Sequence, residues 1–141
     1  MSDADQIQSV AKAIHTALTN DISIQSLLGN SPRLYDHVPE DPIYPYLSYG
    51  DMRSTDVGGD NRPMTSHALS LHIWSRYSGR AEIMQCLAAV IDALESETFI
   101  LTDANLVSAN ILYTDHFRAP DGRTLHGLIR VNITTHSLEE A

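Results

Sequence analysis

The sequence predicts an α+β fold in which a mainly antiparallel sheet carries two main helices on one face, and three observations lead there. In the stretch 67–74, Leu69, Leu71 and Ile73 alternate with Ala68, Ser70, His72 and Trp74, the period-two pattern of a strand with one apolar face. After the turn 75–79, Ile83, Leu87, Val90, Ile91 and Leu94 recur at helical spacing, which draws an apolar stripe down a helix from about Arg80 to Leu94. Farther on, two alternating runs flank Ala119, Pro120, Asp121, Gly122 and Arg123. Proline presets the first turn dihedral there and Asp-Gly supplies a positive one, so the two runs read as a hairpin. Strands joined by hairpins, with helices set apart from them, give this fold class.

The elements follow in order. Ile7, Val10, Ala11, Ile14 and Leu18 keep helical spacing from Asp3 to Leu18, with Ser2 or Asp3 available as the cap. Ile24, Leu27 and Leu28 form a short helical turn that stops at Gly29. Arg33 to Val38 alternates and reads as a short strand. Pro39, Pro42 and Pro45 then punctuate an extended connector, because proline removes a ladder donor. A strand over Tyr46 to Gly50 follows. Asp51 to Thr65 is polar, holds Gly58, Gly59 and Pro63, and reads as a long loop or a loosely held hairpin tip. Beyond the central strand and helix, Ser96 to Asn105 is a connector with an apolar patch at Phe99, Ile100 and Leu101. Leu106 to Phe117 and Thr124 to Thr135 are the last two strands. The whole, 1–141, reads as one domain with a polar tail from about 136.

Composition excludes several functions. A net charge of −9 argues against gripping nucleic acid, since phosphate contacts depend on clustered Lys and Arg. No apolar run approaches the roughly 20 residues of a spanning helix, and the acidic, polar N-terminus is no signal peptide, so the chain is expected to be made in the cytoplasm with no membrane partner. The single cysteine, Cys86, falls in mid-helix and reads as a buried, inert residue. Seven histidines are scattered without an HxH or HExxH spacing. His116 and His126 lie on opposite arms of the last hairpin, and whether they share a face depends on the turn. No GxSxG elbow presents a serine, and Gly58 and Gly59 lack the lysine and helix start of a phosphate loop. No catalytic residue, cofactor or metal site is assigned. Trp74, the only tryptophan, ends the central strand on its polar side. It reads either as packing against a helix or flanking loop, or as an interface anchor.

Several segments together resemble the phage tail-completion or tail-terminator family, small virion proteins also found in phage-like gene transfer agents. They are Leu27, Leu28 and Gly29; Arg33, Leu34, Tyr35, Asp36, His37, Val38 and Pro39; and Pro45, Tyr46 and Leu47 with Gly50. Next come Leu71, His72, Ile73, Trp74 and Ser75 with Gly79 and Arg80, and finally Asp121, Gly122, Arg123 and Thr124 with His126 and Gly127. The resemblance implies a non-enzymatic ring subunit, usually one of six. Such a ring caps the finished tail tube and meets head-completion proteins at the neck, and DNA passes its lumen without specific binding. Two other classes stay open: a small binding module acting by strand addition, and a metal enzyme using His116 and His126. The mixed charges and glycines of the 51–65 stretch make Arg53, Asp56, Gly58, Gly59, Asp60 and Arg62, together with Trp74, the candidate interface. This loop is expected to order against the tail tube or a neighbouring subunit.

Overall fold

The computed structural model describes residues 3–59, 63–95, 101 and 104–137. In chain order the elements are α1 (Asp3–Asn20), α2 (Ile22–Leu28), β1 (Leu34–Tyr35), β2 (Tyr46–Asp56), β3 (Met64–Ser75), α3 (Ala81–Glu95), β4 (Ala104–Arg118) and β5 (Leu125–Ser137). The strands form one sheet in the order β1-β2-β3-β5-β4. Only β1 and β2 run parallel; the other neighbours are antiparallel.

The core lies between one face of this sheet and three helices, the two main ones and the short α2 that stops at Gly29. β3 and β5 sit side by side with Leu69 opposite Val131 and Leu71 opposite Ile129, so their inward sets form a continuous apolar floor. Onto it α3 places Ile83, Cys86, Leu87, Val90 and Leu94. Ile91, at the margin of this stripe, is only partly buried. Gly127 lets α3 approach: a Cβ there would stand 3.1 to 3.2 Å from Ile83 and Leu87 side-chain atoms. α1 adds Val10, Ile14 and Leu18, and α2 adds Ile24 and Leu28. Asp21 caps α2, its carboxylate accepting from the Ile24 amide at 2.9 Å, so the residue that ends the first helical pattern also starts the next. Burial pushes the Cys86 thiol up to about 12, which keeps it inert.

Several expected boundaries move. Arg33–Val38 is not a six-residue strand: only Leu34 and Tyr35 pair with β2, and the Arg33 side chain is turned to donate to the Pro45 carbonyl at 3.0 Å. Asp51–Thr65 is not a long loop. Its first six residues continue β2 and its last two begin β3, leaving a hairpin tip over 57–63, of which Asp60, Asn61 and Arg62 lie outside the described residues. The polar tail does not begin at 136, because His136 pairs with both Met64 and Asn105 as part of β5. Ser2, the apolar patch at Phe99 and Ile100, and residues 138–141 also lie outside the described residues; Leu101 packs against the core.

The reason β2 and β5 run farther than expected is a buried polar chain. His67, fully buried, faces inward with Leu69, and its Nδ1 lies 2.8 Å from Ser54 Oγ on β2. Its Nε2 lies 2.9 Å from Thr135 Oγ1 on β5, and that hydroxyl donates to Gln6 Oε1 on α1 at 2.6 Å. Polar side chains here occupy inward positions that apolar residues fill elsewhere. They tie three strands to a helix and are satisfied by one another.

Candidate interface on the open sheet face

The sheet face opposite the helices carries the outward alternation of β2, β3, β5 and β4. At one end of it, aromatic and imidazole rings form a connected layer. Trp74 is directly opposite His126, and the two rings stack at 3.9 Å between centroids and 13° between planes. Tyr46 stacks on the other side of Trp74 at 6.4 Å, Tyr44 reaches Tyr46 at 5.1 Å, and Phe117 meets His126 edge-on at 4.9 Å. The Trp74 indole N–H donates to Ser48 Oγ at 3.0 Å, so the ring is held at both its face and its polar edge. Trp74 therefore packs on the strands of its own sheet, not against a helix or a flanking loop.

His72 Nδ1 lies 2.8 Å from His126 Nε2. Two imidazoles at that distance share one proton between facing nitrogens, so the contact requires at least one neutral ring. Both rings are held below the ordinary histidine value. For His72 burial is the main cause, opposed by Asp51; for His126 burial leads and the charge of His72 adds to it, opposed by Asp115. Gly50 makes room for this pair, since a Cβ there would meet His72 Nε2 at 2.5 Å and Ser70 O at 3.0 Å.

Below the rings the face is polar and paired. Arg130 donates to Ser70 Oγ at 2.6 Å and to Asp51 Oδ2 at 3.2 Å, and hydrogen bonds from Ser70 and Arg130 hold the Asp51 carboxyl below its usual range. Ser66 donates to Asn132 at 2.6 Å. At the ring end the β4–β5 turn is pinned by Asp121, which accepts from the Thr124 hydroxyl at 2.6 Å and from the Arg123 and Thr124 amides, with Gly122 at φ 78° as the turn residues predict. Those bonds, led by that of the Thr124 hydroxyl, lower the Asp121 carboxyl to about 2. Arg76 donates to Thr124 Oγ1 at 3.1 Å and lies over the Tyr44 ring at 4.3 Å, so the turn, the end of β3 and the proline connector are tied together.

The residues marked from sequence separate into two places. Arg53 and Asp56 are exposed on β2, Gly58 and Gly59 lie in the tip beyond it, and Trp74 belongs to the ring layer at the opposite end of the same hairpin. Asp60 and Arg62 are outside the described residues. His116 and His126 do not meet: His116 is opposite Gly127 and Phe117 is opposite His126, which puts the two imidazoles on opposite faces of the sheet. The partner of His126 is His72, a pairing that needs the β3–β5 register and so leaves no local signal. Among the described residues no group of three His, Cys, Asp or Glu is placed to hold a metal ion. What this face offers is a rigid, ring-lined and mostly satisfied surface.

Comparison with known proteins decides the class. The family model described as tail completion protein gp17 matches residues 12–136. The chain belongs to the tail completion protein gp17 family. Its similarity to the tail completion protein gp17 of Bacillus phage SPP1 is 23% identity over 128 residues, covering 90% of this chain and 95% of that protein. In fold it is similar to a chain in the virion of a native gene transfer agent particle, with a TM-score of 0.79 and 22% identity over 89% of this chain and 93% of that one. It is also similar to the solved bacteriophage SPP1 gp17 protein, with a TM-score of 0.59 and 22% identity over 90% and 88% of the two chains. Family membership makes this chain a structural component of a phage-type tail, and so of a virion or phage-like particle.

Proposed function

We propose that this chain is the subunit of a ring, six copies around, that closes the end of the tail tube and presents a surface to the head-completion proteins at the neck, with no catalytic step. The observation that carries the reading is the family match over 12–136, joined to a fold shared with a chain of an assembled virion. The physical character of the molecule supports it. A chain of net charge −9 suits a lumen that DNA passes without being held. The tip of the β2–β3 hairpin, with Arg53, Asp56, Gly58 and Gly59, supplies charges of both signs and an adaptable backbone for contact with the tail tube or a neighbouring subunit. Trp74, fixed in the ring layer, is the anchor for a second contact on the open face.

Copy number in purified particles tests the reading. Quantitative mass spectrometry against the tail tube subunit, with labelled protein located by electron microscopy, is expected to give six copies at the junction of tail and head. One copy per particle, or label elsewhere, would overturn it. Stoichiometric metal retained after purification together with a hydrolytic activity would restore the enzyme reading.

A further inference from the structure

The strand β4 forms one edge of the sheet, and along it Val107, Leu112, Tyr113 and Phe117 are 50, 54, 53 and 43% exposed. Its pairing with β5 breaks between Leu106 and Ser108 and again between Ile111 and Tyr113, so Val107 and Leu112 are the extra residues of two bulges. Bulges interrupt the row of free ladder groups along an edge and so disfavour simple addition of another strand. What the edge offers instead is apolar side chains. Charge is also nearly absent here. Within Ala104–Arg118 only Asp115 and Arg118 are charged, one of each sign, in a chain that totals −9. Two such acidic molecules repel over most of their surfaces, and this is a stretch where they can approach.

The opposite edge holds a hollow. β1 covers only Leu47 and Ser48 of β2. Beyond them, where β2 breaks register between Tyr49 and Met52, a cavity of about 340 Å³ opens between α1 and β2. Ile14, Met52 and Leu69 are its apolar wall, and the Tyr49 hydroxyl, 2.8 Å from His15 Nδ1, sits beside them. An apolar cavity of roughly 150 Å³ already admits benzene, so this one has room for more than a leucine side chain.

We propose that copies of this chain associate head to tail, with the β4 edge of one packed on the β2 side of the next and Leu112 seated in the cavity beside α1. This inference rests on the ring reading above and names its contact. Because knob and hollow are on opposite edges, each copy uses both at once, and the contact propagates until rotation closes it. A β4-to-β4 contact would instead stop at a dimer.

A cysteine pair tests it. Leu112→Cys and Ala11→Cys put thiols on the exposed bulge and on the exposed cavity rim. A bond within one copy would leave the chain a monomer, so only a contact between copies gives larger covalent species, and Cys86 is buried. In assembled particles, mild oxidation of the double variant is expected to give a ladder of covalent species ending at the ring size, and neither single variant should do so. A covalent dimer from Leu112→Cys alone, or no cross-link in particles whose ring is visible by microscopy, overturns the seating of Leu112 in the cavity and leaves the ring standing. Particles with no ring remove both readings. In parallel, Leu112→Asp should melt like the parent chain yet lose incorporation into particles at least tenfold; normal incorporation overturns the proposal.

Discussion

Thr135 has a single hydroxyl hydrogen, which goes to Gln6, so His67 must donate through Nε2 and accept from Ser54 at Nδ1. The chain of bonds has one direction and is fully buried at His67 and Thr135. Thr135→Val keeps the shape but leaves Gln6 and His67 each short of a partner, and should cost about 1–3 kcal/mol in urea unfolding. A change below about half a kcal/mol would mean that water replaces the hydroxyl. The His72–His126 pair gives a second prediction. Both rings are neutral more readily in the fold than in the unfolded chain, so below the ordinary value of roughly 6.5 the unfolded state binds more protons. Stability is therefore complete above that pH and falls as pH drops through it toward the lowered folded values. Melting at pH 7.5 and 5.5 should show the loss, and the double variant His72→Asn, His126→Asn should show less of it; an equal slope in both proteins contradicts the assignment. None of these pairings could be read from the sequence. Alternation places His72, Trp74 and His126 on polar sides, but the fact that β5 returns beside β3 in this register is set by the whole sheet.

Among the elements, α3 was the most legible, because its apolar stripe is long and its partners are all inward residues of neighbouring strands. Leu87→Ala, at a site 6% exposed, is expected to cost roughly 2–5 kcal/mol. Gly127→Ala tests the same contact from the sheet side. The added methyl would crowd the Ile83 and Leu87 side chains at 3.1 to 3.2 Å, so a loss of about 1–3 kcal/mol is expected, and a neutral result would show that those side chains can give way at no cost. The long strands were less legible for a physical reason. Beyond Tyr49 the inward positions of β2 are Met52 and Ser54, and at the end of β5 the inward position is Thr135. Hydroxyl groups bonded to a buried imidazole replaced the apolar alternation by which a strand is read, so the pattern stopped before the ladder did. At Arg33–Val38 the opposite occurred: side chains alternate well, but the prolines that follow lead the chain away after two paired residues.

Across the whole molecule the acidic balance, legible at once in the composition, carries a prediction of its own. Duplex DNA should show no mobility shift with the purified chain at micromolar concentration and moderate salt, and salt-resistant binding below that range would contradict the account of the lumen. The family was legible because its short motifs fall at turns and strand starts along most of the chain. The bulged edge and the opposite cavity were not, since both depend on which strands end up outermost. The strand order has a further consequence, for synthesis on the ribosome. β5 is made after β3 and β4 yet lies between them, so a chain cut short before β5 has no seat for β4 and no floor under much of α3. Such a fragment lacks the β4 edge in its finished place. Every product that reaches the assembling tail with both edges formed has been translated through β5, so the topology acts as a check on completeness.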